Sequence, residues 1–151
     1  MNTESLKNKI TELIPNAVLE ESGDYLNLHI SAEELLPVMQ LLRNTKELFF
    51  NYLFCMTCVD WKDHFMMVYH LESKIYQHTI VVKAKINDVN NPKIESVNSL
   101  WKTAALNEDE IYDFFGITFM NHPNLRRLFL TDDWEGYPLR KNYSDINMIK
   151  L

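Results

Sequence analysis

Apolar and polar positions along the chain follow two periods, one helical and one extended. Leu6, Ile10, Leu13 and Ile14 recur three and four apart and Pro15 ends the run, so a helix is predicted over residues 3–14. Ala17–Glu21 and Tyr25–Ile30 flank Ser22-Gly23-Asp24, and Leu26, Leu28 and Ile30 alternate with Asn27 and His29, the pattern of a hairpin. A second helix is predicted from about Ala32 to Thr45, with Ser31 as its cap and Glu34 completing a capping box; Pro37, inside the second turn, counts against it. Three segments rich in β-formers follow, Phe49–Val59, His64–Leu71 and His78–Ile86, and their short connections predict an antiparallel meander. Asn87–Pro92 reads as a loop. The helical period returns from Ser96 to Phe115, with Val97, Trp101, Ala104, Ile111 and Phe115 on one stripe and Gly116 as the stop. Asn107 and Glu110 form another possible capping box, so this helix either runs through or restarts there. No period survives beyond Ile117.

The fold class expected is α+β: a mostly antiparallel sheet with two or three helices packed on one face. Residues 1–121 form its core, and residues 122–151 form an extended C-terminal arm of the same domain. The length of 151 residues suits one domain with a real hydrophobic core, and three scattered glycines leave little room for flexible linkers.

The N-terminus lacks a basic segment leading into an apolar run, so no secretory signal is read there. The longest apolar stretch, Leu48 to Val59, is interrupted by Asn51 and Thr57 and is far shorter than the roughly 20 residues of a membrane-spanning helix. A soluble, cytoplasmic chain is expected, reaching a membrane only through partners. The formal net charge of −6 argues against nucleic acid as a ligand, since Arg126-Arg127 and Arg140-Lys141 make too small a basic patch. Residues 122–151 hold five Lys/Arg and four Asp/Glu, so nearly all the negative charge lies in the first four-fifths of the chain.

Cofactor chemistry finds few ligands. An iron–sulfur cluster normally takes four cysteines or a mixture with histidines, and only Cys55 and Cys58 are present. The three isolated glycines make neither a dinucleotide fingerprint nor a phosphate loop. Cys55-Met56-Thr57-Cys58 has the spacing of a redox or half-zinc motif, but on a strand residues three apart point to opposite faces, so core filling is the favoured reading.

Residues 100–143 carry the distinctive chemistry. On a continuous helix Glu108 falls on the apolar stripe, where a carboxylate needs a partner. Glu110 and Asp113 point the other way, three residues apart, as a solvated acidic face or as further ion-pair candidates. His122-Pro123-Asn124-Leu125-Arg126-Arg127 supplies arginine forks able to meet those carboxylates. Asp133, Trp134, Arg140, Lys141 and Tyr143 lie in an aperiodic stretch whose aromatic and arginine content suits a protein interface, the bland alternative being a wrap over the chain's own sheet.

At these residues the chain resembles the C subunit of proton-pumping NADH–quinone oxidoreductase, respiratory complex I, a family also called the 30 kDa subunit. Ala105–Ile117 is similar to that family's Glu-Arg-Glu helix running into Tyr-Asp-x-Phe-Gly-Ile. His122-Pro123-x-Leu125-Arg126-Arg127 and Asp133-Trp134-Glu135-Gly136-x-Pro138-Leu139-Arg140-Lys141 resemble its next two blocks. Thr57–Asp60 and Met67–Leu71 extend the resemblance to roughly Phe49–Tyr143. Two positions depart from the pattern: Asp109 replaces the arginine of Glu-Arg-Glu, and Asn142 replaces an aspartate before Tyr143.

The resemblance implies an assembly subunit of the peripheral arm, on the cytoplasmic side of the inner membrane, beside the D, B and I subunits. It implies no cofactor in this chain: FMN and iron–sulfur clusters, and the sites for NADH and quinone, belong to other subunits. Glu108 and Glu110 are then expected to pair with Arg126, Arg127 or a partner, and Trp134–Tyr143 to clamp onto the D subunit. Two rivals remain. One is the equivalent subunit of a membrane-bound hydrogenase or another quinone-reducing dehydrogenase, which the end of the chain soon after the last motif modestly disfavours. The other is a stand-alone thiol-redox or zinc module using Cys55 and Cys58.

Overall fold

A computed structural model describes residues 1–149. The first helix, α1 (Thr3–Leu13), is capped by Asn2, whose side chain accepts the Ser5 N–H at 2.8 Å. The hairpin forms as β1 (Val18–Ser22) and β2 (Tyr25–Ser31), paired antiparallel. Ser31 begins a short 3₁₀ turn at Ala32–Glu34, where Glu34 Oε2 accepts from the Ser31 N–H at 2.9 Å and its Oγ at 3.0 Å. The helix proper, α2 (Leu35–Asn44), starts only after that turn. Pro37 therefore lies in its first turn, where a missing N–H costs nothing, and the objection to it dissolves.

β3 (Tyr52–Asp60), β4 (Phe65–Ser73) and β5 (His78–Ile86) form the predicted antiparallel meander. β3 starts three residues later than predicted, because the turn leaving α2 takes Phe49 to φ +39° before Phe50 enters the core. The hairpin joins the meander through a parallel pairing of β2 with β5, giving one five-stranded sheet in the order β1-β2-β5-β4-β3. Three of its four pairings are antiparallel.

The last helix corrects the prediction. It neither runs from Ser96 nor restarts at Asn107; α3 spans Ala104–Phe115. Ahead of it, β6 (Lys93–Glu95) pairs in parallel with β7 (Thr118–Met120), a small second sheet. Val97 and Trp101 keep helical spacing because they close one isolated turn, Trp101 N–H to Val97 O at 3.0 Å. Both are buried, and the Trp101 indole N–H donates to Phe50 O at 3.2 Å. Gly116 ends α3 at φ +72°, a left-handed cap.

One core joins the helices to one face of the large sheet: Leu6 and Ile10 from α1, Leu35, Met39 and Leu42 from α2, and Ala104 and Ile111 from α3 pack with Met67, Tyr69, Val82 and Ala84. Cys58 is on this inner face and Cys55 on the exposed outer one, as strand alternation requires. Burial pushes the Cys58 thiol up to about 12, so it stays protonated and unreactive at neutral pH.

Candidate partner-binding arm and its buried latch

Three carboxylates of α3 are buried, and each serves a different part of the chain. Glu108 lies on the apolar stripe and is fully buried. Its Oε2 accepts the Ser96 hydroxyl at 2.6 Å and its Oε1 the Val97 N–H at 2.9 Å, so it ties α3 to the turn before it. Burial raises its pKa, against the opposing pull of those two hydrogen bonds.

Asp109 and Asp113 stand one turn apart on the flank that the arm covers. Asp109 Oδ1 accepts the Arg126 N–H at 3.3 Å. The position that carries arginine in the Glu-Arg-Glu pattern is thus a buried aspartate bonded to arm backbone. His122 sits beside it: Nε2 is 2.9 Å from Ala105 O, and Nδ1 accepts the Asn124 N–H at 3.0 Å. An accepting Nδ1 and a donating Nε2 define the neutral Nε2–H tautomer. The approaches of Nε2 to Glu108 at 3.8 Å and Asp109 at 3.6 Å are then dipolar contacts rather than formal ion pairs.

Asp113 is the anchor. Its Oδ2 accepts three consecutive backbone N–H groups, from Leu128 at 3.2 Å, Phe129 at 2.7 Å and Leu130 at 3.0 Å. Arg127 Nη1 donates to Asp113 Oδ1 at 3.3 Å and to its backbone O at 2.7 Å, while Nη2 donates to Trp134 O at 2.9 Å and Gly136 O at 3.1 Å. Burial alone would raise the Asp113 pKa; the three N–H groups and the guanidinium outweigh it and lower it. Of its two sequence-based readings Asp113 takes the ion pair and not the solvated face, and Arg127 departs from expectation by pairing with Asp113 rather than with Glu108 or Glu110.

The arm is fastened twice more. Arg140 Nε donates to Phe115 O at 2.6 Å, with the guanidinium over the rings of Phe65 and Tyr137, and Leu139 N–H donates to Phe114 O at 3.0 Å. Lys141 N–H reaches Asp60 Oδ2 at 2.9 Å, at the end of β3. Tyr143 donates its hydroxyl to Asp145 Oδ2 at 3.1 Å and packs its ring near Gly136.

The remaining predicted residues face outward. Glu110, Asp133 and Arg126 are exposed, and among the described residues their side chains make no ion pair. Trp134 is exposed, as are Leu106, Phe129 and Leu139, with Phe129 stacked on Phe114. The latch thus turns Arg127, Arg140 and the arm backbone inward and leaves aromatic, aliphatic and arginine side chains outward. Sequence reasoning missed Ser96, Asp109 and Asp60. Asp60 at least followed an apolar strand, where a buried carboxylate demands a donor.

The architecture is that of a component of a solved membrane complex. The chain superposes on a chain of the membrane-bound sulfane sulfur reductase, an archaeal respiratory membrane complex, with a TM-score of 0.77, 25% identity, and coverage of 95% of this chain and 86% of that one. The family described as respiratory-chain NADH dehydrogenase, 30 Kd subunit, matches residues 28–146, and the chain belongs to that family. It is 41% identical over 140 residues to the C subunit of NADH-quinone oxidoreductase from Citrifermentans bemidjiense, covering 89% of this chain and 85% of that one. It is 36% identical to the C subunit from Roseiflexus castenholzii, covering 89% and 79%. Against the combined C/D protein of NADH-quinone oxidoreductase from Phocaeicola vulgatus it is 43% identical over 126 residues, which is 82% of this chain but only 24% of that longer protein. These relatives favour the NADH–quinone oxidoreductase reading over the hydrogenase and thiol-module rivals. No helix among the described residues is long and apolar enough to cross a membrane.

Proposed function

We propose that the chain is a cofactor-free assembly subunit of the peripheral arm of a proton-translocating NADH–quinone oxidoreductase. It works on the cytoplasmic side of the inner membrane and supports, without catalysing, electron transfer from NADH to quinone. The observation that carries this reading is the arm itself. An irregular segment is bound through its backbone by a buried carboxylate while Arg126, Phe129, Trp134 and Leu139 stay exposed along it. Arginine and aromatic side chains on a preorganised backbone lose little freedom on binding, and they are the residue types that dominate protein interfaces. D-, B- and I-type subunits are the proposed partners, with FMN, iron–sulfur clusters, NADH and quinone bound by them and by other subunits of the complex. The Phocaeicola vulgatus relative supports a D-type neighbour, since its name joins C and D in one polypeptide.

The test is recovery of the tagged chain, at native expression, from detergent-solubilised membranes. D-, B- and I-type subunits together with NADH–quinone activity are expected. Arg126→Ala should lower that recovery without unfolding the chain, because the Arg126 side chain makes no ion pair among the described residues. Recovery of the chain alone would overturn the assembly role.

A further inference from the structure

We propose that the cavity at the end of β3 is a receptor for a carboxylate-bearing segment of a partner subunit, an inference that rests on the assembly role above. The cavity has a volume of about 350 Å³, and its lining includes Asp60, Lys62, Phe65, Arg140 and Lys141. Its single carboxylate is already engaged: Asp60 Oδ1 accepts the Lys62 N–H at 2.7 Å and Oδ2 the Lys141 N–H at 2.9 Å. Those bonds fix both lysines at the mouth, Lys62 on a turn at φ +74° closed by Trp61 N–H to His64 O at 3.0 Å.

Three cationic residues against one carboxylate leave the lining net positive by two, on a chain whose net charge is −6. Among the described residues neither lysine has an ion-pair partner, and Arg140, its guanidinium over the rings of Phe65 and Tyr137, hydrogen-bonds only through Nε, to Phe115 O. A local cationic cavity in an acidic protein attracts an anion and rejects most of the protein's own surface. Phe65 lines the cavity with its ring already against the Arg140 guanidinium, which it holds in place.

The rim decides between a protein and a small anion. Trp61 is 56% exposed and lies beside the cavity, its ring centroid 5.9 Å from Lys141 Nζ. A free phosphate or carboxylate would leave that indole uncovered, whereas an acidic peptide segment neutralises the cations and covers Trp61 together. Arginine and tryptophan are enriched among interface hot spots, and arginine–carboxylate pairs are among the stronger polar contacts.

Zero-length carbodiimide coupling of the intact membrane-extracted complex, read by mass spectrometry, tests this directly. The expected result is an isopeptide bond from Lys62 or Lys141 to an Asp or Glu of a partner subunit. Both lysines should also resist acetylation in the complex and react in the isolated chain. Partner crosslinks elsewhere on the arm, with both lysines freely acetylated, would overturn the cavity assignment and leave the assembly role standing. No partner peptides anywhere would overturn both. Protection without a crosslink, lost on exchange into phosphate-free buffer, would overturn it in favour of a free anion. Lys62→Glu with Lys141→Glu should lower partner recovery at least tenfold, and the double arginine variant should restore it. The crosslink on the unaltered protein decides the matter if the double glutamate variant fails to fold.

Discussion

Glu108 and Asp113 are both fully buried carboxylates on one helix, yet their pKa values move in opposite directions. For Glu108 burial dominates, with one hydroxyl and one N–H opposing it; for Asp113 three N–H groups and a guanidinium overcome burial. The two therefore give opposite pH dependences. Asp113, depressed on folding, contributes stability that is complete above the unfolded carboxylate value of about 3.9 and is lost as pH falls through its lower folded value. Asp113→Asn should destabilise the isolated chain by about 2 kcal/mol at neutral pH. In chemical denaturation that difference should shrink below about pH 4 as the native carboxyl itself becomes neutral. Glu108, raised on folding, contributes stability present below the unfolded value of about 4.3 and lost as pH rises through its folded value. Glu108→Gln removes that charge while its amide can donate to Ser96 Oγ and accept from Val97 N–H. It should match or exceed the native stability at pH 7 by up to about 1 kcal/mol, with no gain under acid conditions. An Asp113→Asn chain as stable as the native one at pH 7 would contradict the latch.

At the scale of elements, the junction of α3 with the arm depends on Gly116. A Cβ there would approach Tyr137 Cε2 to 2.6 Å and Arg140 Nη2 to 2.8 Å, at a backbone φ of +72°. Gly116→Ala combines left-handed strain with a clash, so a loss above about 1 kcal/mol is expected in thermal unfolding. Gly23 is the useful comparison: it has φ +63° but open space around it, so its alanine variant should lose only the backbone term. Most elements were legible because their periods run long enough to register. The hairpin, the meander and the first two helices all came from alternation or three-four spacing. The three-residue strands β6 and β7 could not, since two side chains on one face and one on the other make no pattern. The Val97–Trp101 turn mimicked a longer helix because one turn places residues four apart just as a helix does. The latch was half legible. Arginines were expected to meet the carboxylates of α3, but which carboxylate depends on where the arm crosses the helix. Asp109 and Asp113 share the face the arm covers, and no local period of the arm reveals that crossing.

The whole molecule then behaves as a sheet-and-helix body with a segment clipped to its side, and the clip has a measurable signature. Residues 122–149 contain no helix or strand, so their amides would ordinarily exchange quickly. Leu128, Phe129 and Leu130 are different, because all three N–H groups end on one buried carboxylate oxygen. Hydrogen exchange of the isolated chain should show these three amides protected well above their neighbours in the arm. In Asp113→Asn they should exchange at least tenfold faster, while the paired β4 and β5 amides, which open only on global unfolding, quicken by no more than the loss of global stability. The same variant should weaken partner recovery from membranes even though its outward-facing Arg126, Phe129 and Trp134 are intact, because the arm would have to order on binding at the cost of affinity. Faster exchange with undiminished assembly would mean the partners order the arm themselves. Slowed assembly with unchanged exchange would place the role of Asp113 in a direct contact. Loss of both together is the outcome that a preorganised arm requires.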